Sequence, residues 1–156
     1  MKHNFLSDPI GFADRGENPT VITKMKSGYA VIGLTQFLPG YCLLIRAPKV
    51  NELTDLEYGD RNDFLLDMSL LGDALKEVCK PMRINYSIYG NEAPFLHAHV
   101  FPRYEWEPEY NRRNPVWTYP ESNWTDDQYQ WNEATHRGLM LDIKKVLEKR
   151  MSSGYG

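Results

Sequence analysis

Alternation of apolar and polar residues marks five short stretches of the chain as β-strands, and one change to a three-and-four spacing marks a long helix among them. Thr20–Met25 is the first strand, Lys26-Ser27-Gly28 a turn, and Tyr29–Leu34 the hairpin partner. Tyr41–Arg46 is almost continuously apolar, which places it centrally with both faces covered. A polar connection covers 51–60. From Arg61 to Cys79, Phe64, Met68, Leu71, Leu75 and Val78 recur at helical spacing, with Asp60 as N-cap and Lys80-Pro81 as the stop. Arg83–Tyr89 alternates again, Gly90-Asn91 signals a tight turn, and Pro94–Tyr104 supplies the last strand, so these two form an antiparallel hairpin. Three strands, a helix and two strands predict an α+β fold with a mostly antiparallel five-stranded sheet.

The flanks are less regular. Residues 1–19 read as a loosely structured lead-in packed through Phe5, Ile10 and Phe12. Residues 105–124 are rich in Pro, Trp, Tyr, Asn and Arg, and read as a long ordered loop, a length that usually accompanies function. Thr125-Asp126-Asp127 predicts the start of a C-terminal helix carrying Leu139, Met140, Ile143, Val146 and Leu147 on one face, with a frayed end after Met151.

At 156 residues a single domain, 1–156, is expected, with a core at about 18–105 and an extension at 106–156 made of the aromatic loop and the C-terminal helix. A net charge of -3 gives no general surface for a nucleic acid polymer. No apolar run approaches the ~20 residues needed to span a bilayer, and the first nine residues hold no apolar signal core. Cys42 and Cys79 are far apart and form no CxxC, so neither a disulfide framework nor a cysteine metal site is indicated. A cytoplasmic location with reduced cysteines is expected.

The chemistry concentrates in Phe95-Leu96-His97-Ala98-His99-Val100-Phe101. Period-two alternation puts Phe95, His97, His99 and Phe101 on one face and Leu96, Ala98 and Val100 on the other, against a core. Two of the four histidines of the chain therefore project side by side from a rigid element. Three uses are open on the residues alone. They are polar side chains on a half-exposed sheet face, two ligands of a metal site that recruits a carboxylate such as Glu92, or a nucleophile with a supporting imidazole.

Beyond the residues themselves, Ile84-Asn85-Tyr86, Gly90-Asn91, Pro94 and Leu96-His97-Ala98-His99-Val100-Phe101-Pro102-Arg103-Tyr104 resemble the signature of the histidine triad (HIT) superfamily, H-x-H-x-H followed by a Pro-Arg pair. The likeness is to the dinucleoside-polyphosphate hydrolase and Fhit-like branch. Gln36 with Pro39-Gly40-Tyr41 and the strand to Ile45 resemble the Pro-Gly turn and following strand of that family. The resemblance covers about residues 18–105. It places His97 on the second, nucleophilic histidine and His99 on the third. The first falls on Phe95, which cannot donate or accept a proton.

The resemblance implies a HIT-like α+β fold with one middle helix and a C-terminal helix. It implies a nucleotide phosphoanhydride hydrolase or nucleotidyl transferase, acting on dinucleoside polyphosphates or related nucleotides, phosphoramidates among them. His97 and His99 are the catalytic candidates, with a nucleotidyl-histidine on His97. Asn85, Asn91, Arg103 and Gln36 are the candidate substrate or phosphate ligands. No cofactor is required, although Mg2+ can accompany a polyphosphate, and a homodimer built from the middle helix and an edge strand is implied. A non-catalytic nucleotide-binding protein and a metal-binding protein using the HxH strand are the alternatives. Trp106, Trp117, Trp124 and Trp131 are read as core or interface residues, with the covering of a base pocket as the other use of their segment.

Overall fold

Residues 4–156 are described by the structure, a computed structural model. The alternating stretches form β1 (Val21–Met25), β2 (Gly28–Ile32), β3 (Cys42–Arg46), β4 (Arg83–Ile88) and β5 (His97–Arg103). They make one sheet in the order β1-β2-β3-β5-β4, with every neighbouring pair antiparallel. The apolar β3 is central, as its composition requires, and β4 is an edge. Phe95, expected on the last strand, lies just before it. Its N–H donates to the Ala93 carbonyl at 2.8 Å rather than to the ladder.

Short α1 (Pro9–Asp14) gives regular structure to part of the loosely structured lead-in expected there. Asp8 caps it by accepting from the Gly11 N–H at 3.1 Å, with Pro9 in the first turn. Tyr29 fastens it to the sheet by donating to Asp14 at 2.6 Å. The middle helix α2 (Tyr58–Cys79) begins earlier than its periodicity indicated, with Glu57 at the N-cap and Asp60 inside the first turn. Arg61 holds that start by donating to the Thr54 and Leu56 carbonyls. Lys80, at φ 50°, ends the helix in the left-handed region before Pro81.

The aromatic stretch folds into α3 (Glu109–Arg112), a 3-10 turn at Val116–Thr118 and α4 (Ser122–Thr125). The C-terminal helix α5 spans Glu133–Gly154 and is capped by Asn132, which accepts from the Thr135 N–H at 2.8 Å. The expected start at Thr125–Asp127 is therefore corrected. Asp126 does cap, but only a 3-10 turn at Asp127–Tyr129. Gln36 N–H to Tyr129 and Trp131 N–H to Leu34, both 2.7 Å, then hold the chain extended until Trp131 is buried. The helix follows.

The sheet thus has two differently covered faces. Helices α2 and α5 pack Phe64, Leu71, Leu75, Ile143 and Leu147 against Leu44, Ala98 and Val100. The opposite face carries the histidines, flanked by Phe37, Tyr41, Phe101 and Val116 with Tyr119 and Trp124 on one side, and by Tyr29, Val31 and Ile45 on the other. No helix among the described residues is long and apolar enough to cross a membrane.

Candidate active site

Strand register fixes where the imidazoles stand. His97 pairs with Ile45 and His99 with Leu43 on β3, while His99 also faces Ser87 on β4. The two rings lie edge to face with centroids 5.1 Å apart. Their alternation with Ala98 and Val100, both fully buried below, prevents either ring from rotating to the other face.

Each imidazole is oriented through Nδ1, but by a different kind of partner. Nδ1 of buried His97 lies 2.8 Å from the Phe95 carbonyl. A carbonyl only accepts, so Nδ1 carries the proton, and in the neutral ring Nε2 presents a lone pair. The residue at the first triad position supplies this contact with its backbone, which phenylalanine retains. Its ring packs beside that of His97, centroids 4.9 Å apart.

Nδ1 of His99 lies 2.7 Å from the Tyr41 hydroxyl. Burial, and then the neighbouring His97, lower the His99 pKa to about 4, so its ring is neutral near pH 7. Burial raises the Tyr41 phenol far above its ordinary range, so it keeps its proton. Among the described residues that hydroxyl has no other partner, and it is satisfied by donating to Nδ1. His99 is left with Nε2–H as a donor. The pair therefore offers one nucleophilic nitrogen and one hydrogen-bond donor.

Tyr41 is placed by its own loop. Gln36 donates to the Gly33 and Tyr41 carbonyls at 2.9 and 3.0 Å and accepts from the Gly40 N–H at 2.9 Å. The Tyr41 ring lies over Gly33 so closely that a Cβ there would stand 2.3 Å from it. Tyr41 stacks on Phe101 at 4.2 Å, and Trp117 meets His99 edge-on at 5.6 Å.

Two recesses meet at His97. A cleft of about 410 Å3, its walls largely aromatic, is lined by Tyr41, Tyr89, Asn91, Glu92, His97, His99 and Trp117. An apolar pocket of about 180 Å3 is lined by Phe5, Val31, Leu43, Ile45, Phe95 and His97, with Asn18 and Thr20 as polar members. The cleft brings together His97, His99 and Asn91, whose side chain makes no hydrogen bond within the described residues. Asn85 lies in an adjoining groove. Gln36 and Arg103 are put to other uses than the phosphate contact expected of them. The Gln36 amide is saturated inside its loop. Arg103, 2% exposed, is enclosed by Glu107, Asn85 and the carbonyls of Asn111 and Asn114. Tyr41, Tyr89 and Trp117 are the wall residues that alternation alone did not single out. Among the described residues no three His, Cys, Asp or Glu side chains gather at a metal-sized site.

Two consequences of the Tyr41–His99 contact are measurable. Tyr41→Phe should slow turnover about 5- to 10-fold, the value of one buried hydrogen bond, and should shift the His99 Nδ1 resonance in 15N spectra. In the wild type His99 should titrate near pH 4, and a midpoint near 6.5 would contradict the burial described. Because the folded value lies below the unfolded one, the unfolded chain takes up the proton first. This contribution to stability is complete above about pH 6.5 and declines as the pH falls toward 4.

The sheet order, the paired imidazoles and the cleft beside them define a protein of the histidine-triad class in which phenylalanine holds the first position. The HIT domain family matches residues 15–106, and the chain belongs to that family. A bis(5'-adenosyl)-triphosphatase from Saccharomyces cerevisiae is 30% identical over 107 residues, which are 64% of this chain and 52% of the relative. The chain thus spans about half the length of the curated relatives it matches. Among solved structures, a histidine triad protein from Sinorhizobium meliloti 1021 superposes with a TM-score of 0.68 at 24% identity, covering 85% of this chain and 93% of that one. A Plasmodium falciparum diadenosine triphosphate hydrolase does so with 0.60 at 17%, covering 85% and 79%. These likenesses match the HIT-type α+β fold expected from the sequence.

Proposed function

We propose that this protein is a nucleotide hydrolase or nucleotidyl transferase that works through a nucleotidyl-histidine on His97, with dinucleoside polyphosphates as its substrate class. The observation that carries the reading is the position of His97. His97 lines both the apolar pocket and the cleft beside it, and its Nδ1 is tied to the Phe95 carbonyl, which leaves Nε2 as the free nitrogen. In this reading the base takes the apolar pocket, and the α-phosphate is held beside His97. Nε2 attacks phosphorus, a P–N bond forms, and the bridging P–O bond breaks with its electron pair on the leaving phosphate. Water then attacks the same phosphorus, the P–N pair returns to Nε2, and a nucleoside monophosphate leaves. His99 Nε2–H donates to a non-bridging oxygen throughout, where positioning and charge stabilisation supply most of the catalysis.

The similarity to a bis(5'-adenosyl)-triphosphatase supports this substrate class. Attack by imidazole asks for no metal, and Mg2+ enters as the counter-ion of the polyphosphate. Edge strand β4 and the exposed Leu65 and Leu66 of α2 suit pairing of two copies, and a homodimer belongs to the proposal.

The test is incubation with diadenosine triphosphate in 18O-water. The expected products are AMP and ADP in equal amounts, with the label in AMP. Saturable binding without products would instead favour a nucleotide-binding protein that does not turn over, the reading that Phe95 raises.

A further inference from the structure

The hydrolytic half of the proposed reaction needs a base that the two histidines do not supply. In the nucleotidyl form Nε2 of His97 is the atom bonded to phosphorus, and its Nδ1 keeps the proton held by the Phe95 carbonyl. His99 has its one lone pair turned to the Tyr41 hydroxyl and presents Nε2–H, so it donates and does not accept. The water that attacks the nucleotidyl phosphorus therefore loses its proton to another group.

Displacement at phosphorus is in line, so this water enters opposite the P–N bond, along the path the leaving phosphate took. With the nucleobase in the apolar pocket, that path opens into the cleft beside His97 and His99. Tyr41, Tyr89, Trp117 and Trp124 form its walls, and phenol and indole groups take no proton from water at neutral pH. Glu92 is the one carboxylate that lines the cleft, and no lysine or arginine lines it. Its side chain is exposed, and no hydrogen bond or ion pair among the described residues engages it. Both carboxylate oxygens are free to accept.

The turn between β4 and β5 holds Glu92 on the His97 side. Gly90, at φ 77°, brings the chain back so closely that a Cβ there would stand 3.4 Å from the Phe95 carbonyl oxygen. That oxygen is the one facing His97 Nδ1. The bond from the Phe95 N–H to the Ala93 carbonyl at 2.8 Å, with Pro94 between them, tightens the same loop. Glu92 thus belongs to a short loop closed on the backbone group that orients the nucleophile.

Resting on the nucleotidyl-histidine reading above, we infer that Glu92 is the general base of the hydrolytic half-reaction. Its carboxylate takes a proton from the water in the cleft as the water oxygen bonds to phosphorus. The P–N bond breaks with its electron pair returning to Nε2, and the proton passes from Glu92 to solvent. The first half-reaction makes no such demand, because a neutral imidazole attacks without losing a proton. Loss of the carboxylate therefore slows decay of the intermediate and not its formation.

The experiment is rapid quenching of wild type and Glu92→Gln with diadenosine triphosphate. In the variant kcat should fall about 100-fold, the lower end of the range for general-base catalysis, while the first turnover releases ADP within about twofold of the wild-type rate. An AMP-sized adduct on His97 should then hold most of the variant protein in the steady state. Fluoride attacks phosphorus without losing a proton. It should speed decay of the adduct in Glu92→Gln, with adenosine 5'-phosphorofluoridate as product, and scarcely affect the wild type. Glu92→Asp, which keeps a carboxylate, should recover part of the decay in water. Decay at the wild-type rate in Glu92→Gln, or equal slowing of formation and decay, would overturn the role of Glu92 and leave the nucleotidyl-histidine in place. No adduct in either protein would overturn the nucleotidyl-histidine and this role with it.

Discussion

Replacing His97 with alanine should abolish turnover, a loss of roughly 10⁴-fold or more, because a covalent nucleophile cannot be replaced by positioning. His99→Ala should cost only on the order of 10²–10³, the range for one donor to a developing oxyanion. The ranking follows from the two Nδ1 contacts. The carbonyl behind His97 leaves Nε2 with a lone pair, whereas the phenol behind His99 leaves Nε2 with a proton. Both variants should still bind the nonreacting nucleotide, since His99→Ala leaves the apolar pocket intact and His97→Ala shortens only one of its lining side chains. Steady-state kinetics with purified variants decide it, and the reverse ranking would move the nucleophile to His99.

The second large effect concerns stability. Arg103→Ala should destabilise the fold by about 3–5 kcal/mol, the cost of leaving one member of a buried ion pair alone, and lower Tm by about 10 °C. Arg103 and Glu107 are 2% and 3% exposed and 2.9 Å apart. Glu107 also accepts from the Tyr104 N–H and the Tyr119 hydroxyl, both at 2.6 Å. Burial alone would raise the Glu107 pKa, but the Arg103, Tyr119 and Tyr104 hydrogen bonds outweigh it and hold the carboxyl below its ordinary value. A depressed folded value means this stability is complete above the unfolded pKa of about 4.3 and is lost as the pH falls through the folded one. The difference in Tm between wild type and variant should therefore narrow in acid. The pair also ties down the stretch that carries Trp117, so the variant should lose activity before it unfolds. Thermal melts from pH 7 to 3 test this, and equal melting of the two proteins at pH 7 would refute it.

How far the fold could be seen in the sequence depends on where the information is local. Period-two alternation identifies β4 and β5 because each has one face on the helices and one on the site. The same logic puts His97 and His99 together and Ala98 beneath them. Helix starts were misplaced where capping residues occur twice. Asp126 and Asn132 are both good caps, and only the pairing of 129–131 with 34–36 decides that the second one opens α5. The candidate ligands divided for a similar reason. Gln36 and Arg103 are polar residues within the stretches that resemble the family's site, but their partners lie in loops whose approach no local pattern records. Tyr41 went unassigned as a site residue because its role is a single contact across 58 positions of chain.

The claim on which the rest depends is the covalent intermediate on His97, and rapid quenching of a reaction with diadenosine triphosphate tests it most directly. Acid-labile phosphoramidates survive alkaline quench, so peptide mass spectrometry after alkaline work-up can locate the adduct. An AMP-sized increment on the peptide containing His97, forming and decaying at rates consistent with turnover and absent in His97→Ala, is the predicted result. An adduct on His99, or rapid turnover with no adduct at any time, would contradict it.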